Sequence, residues 1–208
     1  IQIWSRQLLK ICRIEWVFKD QAPANLENAL IVSNHISWLD IFVLNSLKPC
    51  KFVAKSDIRS WPLIGWLCEK SGTIFLARGK QRDVKRIYQN LVTRLHAGER
   101  IAFFPEGTTA AQGQLLPFHA NLFEAAIEAE VAIAPFALRY LDAAGNCHAA
   151  ADFIGDTSFV QSLAIIFKAP PMRAELIRLN HLPSQGAHRR ELAQATRAVV
   201  LEELNMRN

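Results

Sequence analysis

The sequence has few cysteines and no long apolar run, and each absence excludes a class of protein. Its four cysteines stand far apart in 208 residues, with no CxxC pair and no cluster of cysteine with histidine. This spacing argues against a disulfide framework and a structural zinc site, and it suits a reducing compartment. No uninterrupted apolar run reaches about eighteen residues, so no membrane-spanning helix is predicted. Charged residues make up 21% and hydrophobic residues 50%, which excludes disorder as the main state.

Positive charge is concentrated in one part of the chain. The formal net charge is +5, but residues 48–100 hold 12 Lys and Arg against 4 Asp and Glu. The remaining residues hold 12 against 15 and are therefore slightly acidic. Such a basic segment favours an anionic partner, which leaves nucleic acid, anionic lipid headgroups, phosphorylated substrates or an acidic carrier protein as candidates.

Short apolar runs alternate along the chain with segments of helical length. This alternation predicts an α/β fold with a mostly parallel sheet flanked by helices, in a single domain over residues 1–208. The core of that domain falls in residues 29–140, and residues 141–208 complete it. The predicted strands are 29–33, 51–54, 73–76, 101–104 and 131–138, and the predicted helices are 81–97, 119–129 and 187–204.

The N-terminal segment, residues 1–20, is predicted to form an amphipathic helix over residues 1–18. Apolar residues recur at helical spacing, three basic residues stand between them, and Trp4 and Trp16 lie towards its ends. Such a helix can lie in a membrane interface or pack into the core, and the sequence leaves both open. The first residue is Ile1, so we expect either a peripheral protein or one whose anchoring segment is missing from this chain.

His35 and Asp40 follow the first of these predicted strands, in the segment SNHISWLD. A strand-to-helix turn can bring the carboxylate back to the imidazole, which leaves His35 to take a proton from a substrate hydroxyl. The alternative is that Asp40 caps the turn and His35 packs beneath it. No P-loop, GxGxxG, HExxH or GxSxG motif is present.

Three further segments end or interrupt other predicted strands. Arg78, after TIFL, has a planar guanidinium that suits phosphate or carboxylate, although a solvated turn is the simpler interpretation. FPEGTT, with Glu106 and Gly107, is either a turn that holds a headgroup or an oxyanion, or an ordinary turn. Pro135 inside the strand 131–138 by itself predicts an edge strand or a bulge.

In this order and context the four segments resemble the glycerolipid acyltransferase family, whose members include the 1-acyl-glycerol-3-phosphate acyltransferases. The blocks of that family read NHxxxxD, GxxFxxR, FPEGT and a strand with proline. The resemblance extends over residues 33–138, about half of the chain, and includes features of the bacterial members. Its blocks stand here as Asn34-His35 with Asp40, Gly72 with Phe75 and Arg78, Phe104 to Thr108, and Ile133-Ala134-Pro135.

The resemblance implies an O-acyltransferase that needs no metal and no cofactor and uses acyl-CoA or acyl-carrier protein as co-substrate. It implies that His35 is the general base and Asp40 its orienting partner. The acceptor hydroxyl would attack the thioester directly, without a covalent acyl-enzyme. The positions implied for substrate binding are Gly72, Phe75, Arg78, Glu106, Gly107, Thr108 and Thr109.

Thr109 departs from the family pattern, because members that act on lysophosphatidic acid often have Arg after FPEGT, where it can pair with the phosphate. We predict 1-acyl-glycerol-3-phosphate as the acceptor, converted to phosphatidic acid in phospholipid biosynthesis, with Arg78 or another basic residue supplying the charge. The alternative acceptor is lyso-ornithine lipid or another lysophospholipid.

The predicted partners are an anionic membrane surface, the lysolipid and the acyl donor, at the cytoplasmic face of the inner membrane. A basic, non-catalytic lipid- or nucleic-acid-binding domain is the alternative of a different class. No nucleic-acid-reading motif is present, so we expect no nucleic acid partner. A hydrolase, in which His35 activates water, is a further alternative.

Overall fold

A computed structural model of the chain describes residues 1–22, 28–60, 64–70, 72–76 and 81–205. Within these residues seven strands form one sheet, in the order β1-β7-β6-β2-β5-β3-β4. The strands are β1 (Ile14–Asp20), β2 (Ala29–Ser33), β3 (Lys51–Lys55), β4 (Ile74–Leu76), β5 (Ile101–Phe103), β6 (Ala132–Leu141) and β7 (Met172–Arg178).

Five neighbouring strands, β6, β2, β5, β3 and β4, run parallel to one another. The remaining two, β7 and β1, are parallel to each other, and β7 pairs antiparallel with β6. The carboxyl ends of the five parallel strands therefore meet at one edge, here called the carboxyl edge, where α/β proteins place their active sites. The predicted α/β fold with a mostly parallel sheet is confirmed.

Helices cover both faces of the sheet because alternate strand residues are apolar on both sides. Ile31 faces a core shared with Leu9, Val43 and Ile166, whereas its neighbour Leu30 faces the opposite core. Among the described residues, no helix is long and apolar enough to cross a membrane. The helices are α1 (Gln2–Ile11), α2 (Asp40–Leu47), α3 (Ile64–Lys70), α4 (Gln81–His96), α5 (Phe123–Glu128), α6 (Phe159–Lys168) and α7 (Arg189–Asn205).

The predicted helix over residues 1–18 is wrong beyond Ile11. The chain turns at Arg13, which has a φ of 56°, and continues as β1. Ile14, Trp16 and Phe18 alternate as in a strand, and all three pack in one core. β1 pairs with β7, which the sequence analysis did not predict, and this long-range pairing outweighs the local helical spacing.

Pro135 is not on an edge strand, because β6 lies between β2 and β7. Phe136 pairs with Arg178, and Ile133 bridges to Leu182. Between these two pairs the chain on the β7 side has one residue more than β6, which is a bulge opposite Pro135. The proline carbonyl accepts a hydrogen bond from the Leu179 N–H at 2.9 Å, and its missing N–H falls where this bulge interrupts the ladder. The bulge was expected correctly and the edge position was not.

Candidate active site

The chain leaves β2 at the carboxyl edge through Asn34, which holds it against β6. The Asn34 Nδ2 donates to the Leu138 carbonyl at 2.9 Å, and the Leu138 N–H donates to the Asn34 Oδ1 at 2.8 Å. This amide imitates one more residue pair of the β2–β6 ladder. The backbone immediately before His35 is therefore fixed by a strand that lies about a hundred residues away in sequence.

His35 and Asp40 are in direct contact. The imidazole Nδ1 lies 2.7 Å from the Asp40 Oδ2, with Asp40 at the start of α2. The histidine side chain is 18% exposed, whereas the aspartate side chain is completely buried. Since an ionised carboxylate only accepts hydrogen bonds, this contact favours the neutral tautomer that has its proton on Nδ1 and its lone pair on Nε2. The predicted contact of imidazole with carboxylate is confirmed.

Asp40 also satisfies the turn that carries His35. Its Oδ2 accepts from the N–H groups of Ile36 at 2.7 Å and Ser37 at 3.0 Å. Its Oδ1 accepts from the Tyr140 hydroxyl at 2.8 Å. Burial and the adjacent Asp40 charge raise the pKa of Tyr140 well above its ordinary value, so the hydroxyl stays a donor. Capping of the turn and orientation of the imidazole, considered above as alternatives, occur together.

Stacked phenylalanine rings cover one face of the imidazole ring. The Phe104 ring stacks on it with centroids 3.9 Å apart and planes 9° apart, and Phe52 stacks behind Phe104 at 5.8 Å. Phe104 directly follows β5, the neighbour of β2, so parallel pairing brings the two rings together. With Nδ1 bonded to Asp40 and one ring face on Phe104, Nε2 is the ring nitrogen left for a further hydrogen bond.

Glu106 fixes the His35 backbone from the FPEGTT turn. Its two carboxylate oxygens accept from the N–H groups of His35 and Leu116, each at 2.8 Å, and the residue is buried. The Ala110 N–H in turn donates to the His35 carbonyl at 2.8 Å. Burial raises the pKa of Glu106, and the donors from Leu116 and His35 oppose that shift without cancelling it. Both carboxylate oxygens of Glu106 are therefore occupied by backbone N–H groups of the protein.

The remainder of the turn contains one exposed and one bonded hydroxyl. Thr108 is exposed, whereas the Thr109 hydroxyl donates to the Phe153 carbonyl. Gly107 has a φ of 69°, and a Cβ there would lie 3.2 Å from the His119 Cδ2 and 4.0 Å from the Lys55 Cε. Glycine allows this positive φ and the approach of both basic side chains to the turn.

Comparison with known proteins identifies the family. The family described as Acyltransferase matches residues 13–139, more than half of the chain. The chain belongs to the acyltransferase family. The suspected family membership is thereby confirmed.

Similarity extends beyond the matched segment of this acyltransferase. The chain is 40% identical over 199 residues to a lyso-ornithine lipid O-acyltransferase of Pseudomonas aeruginosa, covering 95% of this chain and 76% of that protein. A 1-acyl-sn-glycerol-3-phosphate acyltransferase of Neisseria gonorrhoeae is 40% identical over 125 residues, with coverages of 60% and 49%. The chain thus spans about half the length of the second relative.

A solved structure supports the fold of the acyltransferase. The crystal structure of the 1-acyl-sn-glycerophosphate (LPA) acyltransferase PlsC from Thermotoga maritima superposes with a TM-score of 0.70. The match covers 99% of this chain and 77% of that one, at 19% sequence identity. At that identity the likeness establishes the architecture, and the chemistry of the site rests on the residues above.

The acyltransferase does not bring all predicted site residues to the carboxyl edge. Gly72 precedes β4 and therefore lies at its amino end, where a Cβ would lie 3.5 Å from the Lys51 side chain. Phe75 lies within β4, with the Arg59 guanidinium 5.6 Å from its ring centroid. Arg78 lies outside the described residues. Gly72, with a φ of 78°, thus lies in a turn at the amino end of β4, away from the carboxyl edge where His35 lies.

The site of the acyltransferase contains residues that the sequence analysis missed as site residues, above all Tyr140 and His119. Tyr140 is a hundred positions from Asp40, and only the pairing of β6 beside β2 brings it there. The clue that the sequence offers is its place on the same strand as Pro135, seven residues after Ile133. Within the described part of the chain, no group of three or more His, Cys, Asp or Glu could hold a metal ion.

Proposed function

We propose that this acyltransferase moves a fatty acyl group from acyl-CoA or acyl-carrier protein to the free hydroxyl of a lysolipid. The observation that carries the proposal is the 2.7 Å contact between the His35 Nδ1 and the buried Asp40 carboxylate, which leaves Nε2 free to accept a proton. The names of the relatives, lysolipid acyltransferases from several bacteria, supply the substrate class.

His35 acts as general base in this proposal. The acceptor oxygen attacks the thioester carbonyl carbon while its proton passes to Nε2, and Asp40 stabilises the imidazolium that forms. The tetrahedral intermediate then collapses, the C–S bond breaks, and the imidazolium returns the proton to the departing thiolate. The products are the ester and the free thiol of CoA or the carrier protein, and atoms and charge balance.

Direct attack by the acceptor, without an acyl-enzyme, is supported by the surroundings of the imidazole. Among the described residues, the partners of the ring are the Asp40 carboxylate and the Phe104 ring, and no serine or cysteine donates to it. A covalent mechanism would place a nucleophile within hydrogen-bond reach of the base.

Two acceptors remain, and different observations favour them. Lyso-ornithine lipid is favoured by the relative that matches 95% of the chain, and by Thr109, whose hydroxyl is bonded to Phe153 and offers no cation to a phosphate. We therefore place it first, ahead of the 1-acyl-glycerol-3-phosphate expected from the sequence. The latter is favoured by Lys55 and His119, which approach the turn at Gly107 and provide basic groups for a phosphate.

The expected partners and location belong to the same proposal. A lysolipid reaches the enzyme from a bilayer, so we propose that the protein works at a membrane surface with anionic lipid, on the cytoplasmic face of the inner membrane. Acyl-CoA and acyl-carrier protein are both available to an enzyme on that side. No metal or cofactor enters the proposed steps.

The proposal is tested by mixing the purified protein with acyl-CoA or acyl-carrier protein and each lysolipid in turn. Formation of the diacylated product and of free thiol is measured for the native protein, for His35→Ala and for His96→Ala, a matched change on the exposed side of α4. We expect His35→Ala to lower turnover on the order of a thousandfold and His96→Ala to leave it unchanged. Equal product from His35→Ala would refute the mechanism, and release of free fatty acid alone would indicate a hydrolase.

The choice of acceptor is tested at the position after FPEGT. Thr109→Arg introduces a guanidinium that can pair with a phosphate, so the ratio of turnover on 1-acyl-glycerol-3-phosphate to that on lyso-ornithine lipid should rise about tenfold. Thr108→Arg, an exposed neighbour, is the control and should change the ratio less. If the native protein already prefers 1-acyl-glycerol-3-phosphate, lyso-ornithine lipid is not the principal acceptor.

A further inference from the structure

The exposed large apolar side chains in the described part of the chain lie in two segments. Among the residues whose side chains are described, every exposed large apolar one belongs to α1 with the residue before it, or to α6 with the loop before it. Exposure reaches 72% at Ile3 and 74% at Val160. Scattered apolar residues are normal on protein surfaces, but confinement to two segments marks an interaction site. These residues are Ile1, Ile3, Trp4, Ile11, Ile154, Val160, Ile165 and Phe167.

The two segments lie side by side, although about 150 residues separate them in sequence. The Arg13 guanidinium, just after α1, donates to the carbonyls of Phe167 at 2.8 Å and of Ala169 at the end of α6. The Trp38 indole N–H donates to the Ser162 hydroxyl of α6 at 3.1 Å. These bonds hold α1, the His35 turn and α6 as neighbours.

A row of aromatic rings joins the two helices across the surface. The Trp4 ring of α1 packs edge-on against Phe42 at 5.3 Å, Phe42 against Trp38 at 5.8 Å, and Trp38 against Phe159 of α6 at 4.8 Å. Tryptophan is the side chain that best suits the boundary between water and lipid, because its ring is apolar and its N–H is polar. The exposed apolar side chains and this row are here called the α1/α6 surface.

The charged residues on the two helices of the α1/α6 surface are all basic, and the loop before α6 adds one acidic residue, Asp156. Neither helix contains an acidic residue, while Arg6 and Lys10 lie on α1 and Lys168 ends α6, all three exposed. The acidic residues nearest in sequence, Glu15 and Asp156, lie outside both helices. Apolar side chains flanked by lysine and arginine match a bilayer interface whose headgroups are anionic.

The α1/α6 surface adjoins the catalytic pair. Trp38 lies two residues before Asp40, within the turn that the Asp40 carboxylate caps. The loop before α6 is bonded to the same turn, because the Phe153 N–H donates to the Ile36 carbonyl at 3.0 Å. Its carbonyl accepts from the Thr109 hydroxyl. A lipid surface seated on α1 and α6 therefore lies next to the turns that hold His35.

From these observations we infer that α1 and α6 together form the lipid-docking surface of the protein, with α6 an equal partner of the N-terminal helix. The occupant is a bilayer interface that contains anionic lipid. The orientation of His35 towards the lysolipid rests on the proposed function, whereas the binding itself does not.

The test changes α6 alone and measures binding without catalysis. Val160→Ser with Phe167→Ser removes two exposed apolar side chains and no core contact of the sheet, and Ala195→Ser with Ala198→Ser on exposed positions of α7 is the matched control. Sedimentation is measured with vesicles of phosphatidylcholine alone and of phosphatidylcholine with an equal part of phosphatidylglycerol. Circular dichroism verifies that each variant is folded.

We expect the native protein to bind the mixed vesicles more tightly than phosphatidylcholine alone. The α6 variant should lose about tenfold in partition coefficient, and the α7 control should lose nothing. Lys10→Gln with Lys168→Gln should weaken binding to the mixed vesicles alone, on the order of tenfold. Unchanged binding by the folded α6 variant would overturn the inference. So would a concentration-dependent dimer that the same variant abolishes, because the surface would then belong to a second copy.

Acyl transfer by the native protein, measured beside vesicle binding, separates this inference from the proposed function. Binding with the expected dependence on α6 and on phosphatidylglycerol, together with no acyl transfer by the native protein, would leave the docking surface standing and refute the function. The docking surface alone would be refuted if acyl transfer proceeds on vesicles and the α6 variant binds and turns over as the native protein does.

Discussion

Two buried carboxylates of this protein are satisfied by different kinds of hydrogen-bond donor. Glu175, on β7, is held by cations: Arg139 donates two bonds to its Oε2 at 3.0 and 2.7 Å, and the Lys19 ammonium lies 2.8 Å from its Oε1. Asp40, at the carboxyl edge, is held by backbone N–H groups, the Tyr140 hydroxyl and the His35 ring. None of the donors described for Asp40 is a lysine or an arginine.

This difference separates a stabilising ion pair from the pair proposed to be catalytic. Cations cancel the charge of Glu175, so that carboxylate has little left to offer another group. Neutral donors satisfy the lone pairs of Asp40 without cancelling its charge, which stays available to an imidazolium as His35 takes up a proton. Buried carboxylates with neutral donors and one ionisable neighbour are thus suited to acid–base chemistry.

The largest effect is expected when the charge of Asp40 is removed without a change in size. Asp40→Asn has one acceptor oxygen in place of two, so its NH2 group faces either the Tyr140 hydroxyl or the donors of His35 and the turn. It also lacks the charge that stabilises an imidazolium. Turnover on the preferred lysolipid should fall on the order of a thousandfold, with folding retained, as measured by thiol release. If the variant keeps most of its turnover, the difference between the donors of Asp40 and those of Glu175 does not contribute to catalysis.

Removal of one cation from Glu175 should affect stability and leave catalysis unchanged. Arg139→Met removes both bonds to the Glu175 Oε2 and leaves the Oε1 with Lys19 at 2.8 Å and Arg173 at 3.6 Å, so the free energy of unfolding in urea should fall by about 3 kcal/mol. The double variant Arg139→Met with Glu175→Met also removes the buried carboxylate and should recover all but about 1 kcal/mol. Turnover of the folded fraction should match that of the native protein in both variants, and a large loss there would contradict the separation of roles.

Tyr140→Phe removes one neutral donor from Asp40 and keeps the aromatic ring. The lost charge-assisted bond should lower kcat about tenfold with little change in KM, because Tyr140 positions the carboxylate and does not touch the substrate. The proton resonance of the His35 Nδ1 should shift in the same variant. A change in KM alone would instead place Tyr140 in substrate binding.

The smallest effect is expected in the pH dependence of stability. It should differ between Glu175, which is held by cations, and Glu106, which is held by neutral backbone donors. Burial raises the pKa of Glu175, but the bonds from Lys19 and Arg139 outweigh it and lower the pKa below its ordinary value. Its contribution is therefore present above the ordinary glutamate pKa of about 4.3 and is lost as the pH falls through the lowered value. At Glu106 the pKa is raised, so its contribution is present at low pH and is lost as the pH rises through the raised value.

Urea unfolding over a pH series checks these opposite signs. The difference in unfolding free energy between the native protein and Glu175→Gln should shrink as the pH falls. The corresponding difference for Glu106→Gln should shrink as the pH rises. Parallel curves for the two variants would show that the two carboxylates share one environment.

Local sequence patterns predicted the parallel strands and the contact at their ends, because both depend on neighbouring residues. Runs such as 29–33 are apolar throughout, as a strand covered on two faces must be, and His35 and Asp40 are joined by one turn. The segment 14–20 was predicted as helix because its partner β7 is about 158 residues away and leaves no local trace. The contact of Tyr140 with Asp40 and the contact of α6 with the residues after α1 leave no local sequence pattern either, because each joins residues that are far apart in the chain.

The central claim is that Asp40 holds His35 with the proton on Nδ1 and the lone pair on Nε2. Nuclear magnetic resonance of protein labelled with ¹⁵N-histidine, with His35 assigned through His35→Ala, tests it most directly. We predict that the neutral imidazole is the tautomer with a slowly exchanging Nδ1 proton and a bare Nε2, and that the Nδ1 signal is lost or strongly shifted in Asp40→Asn. A proton found on Nε2 in the native protein, with Nδ1 bare, would contradict the account.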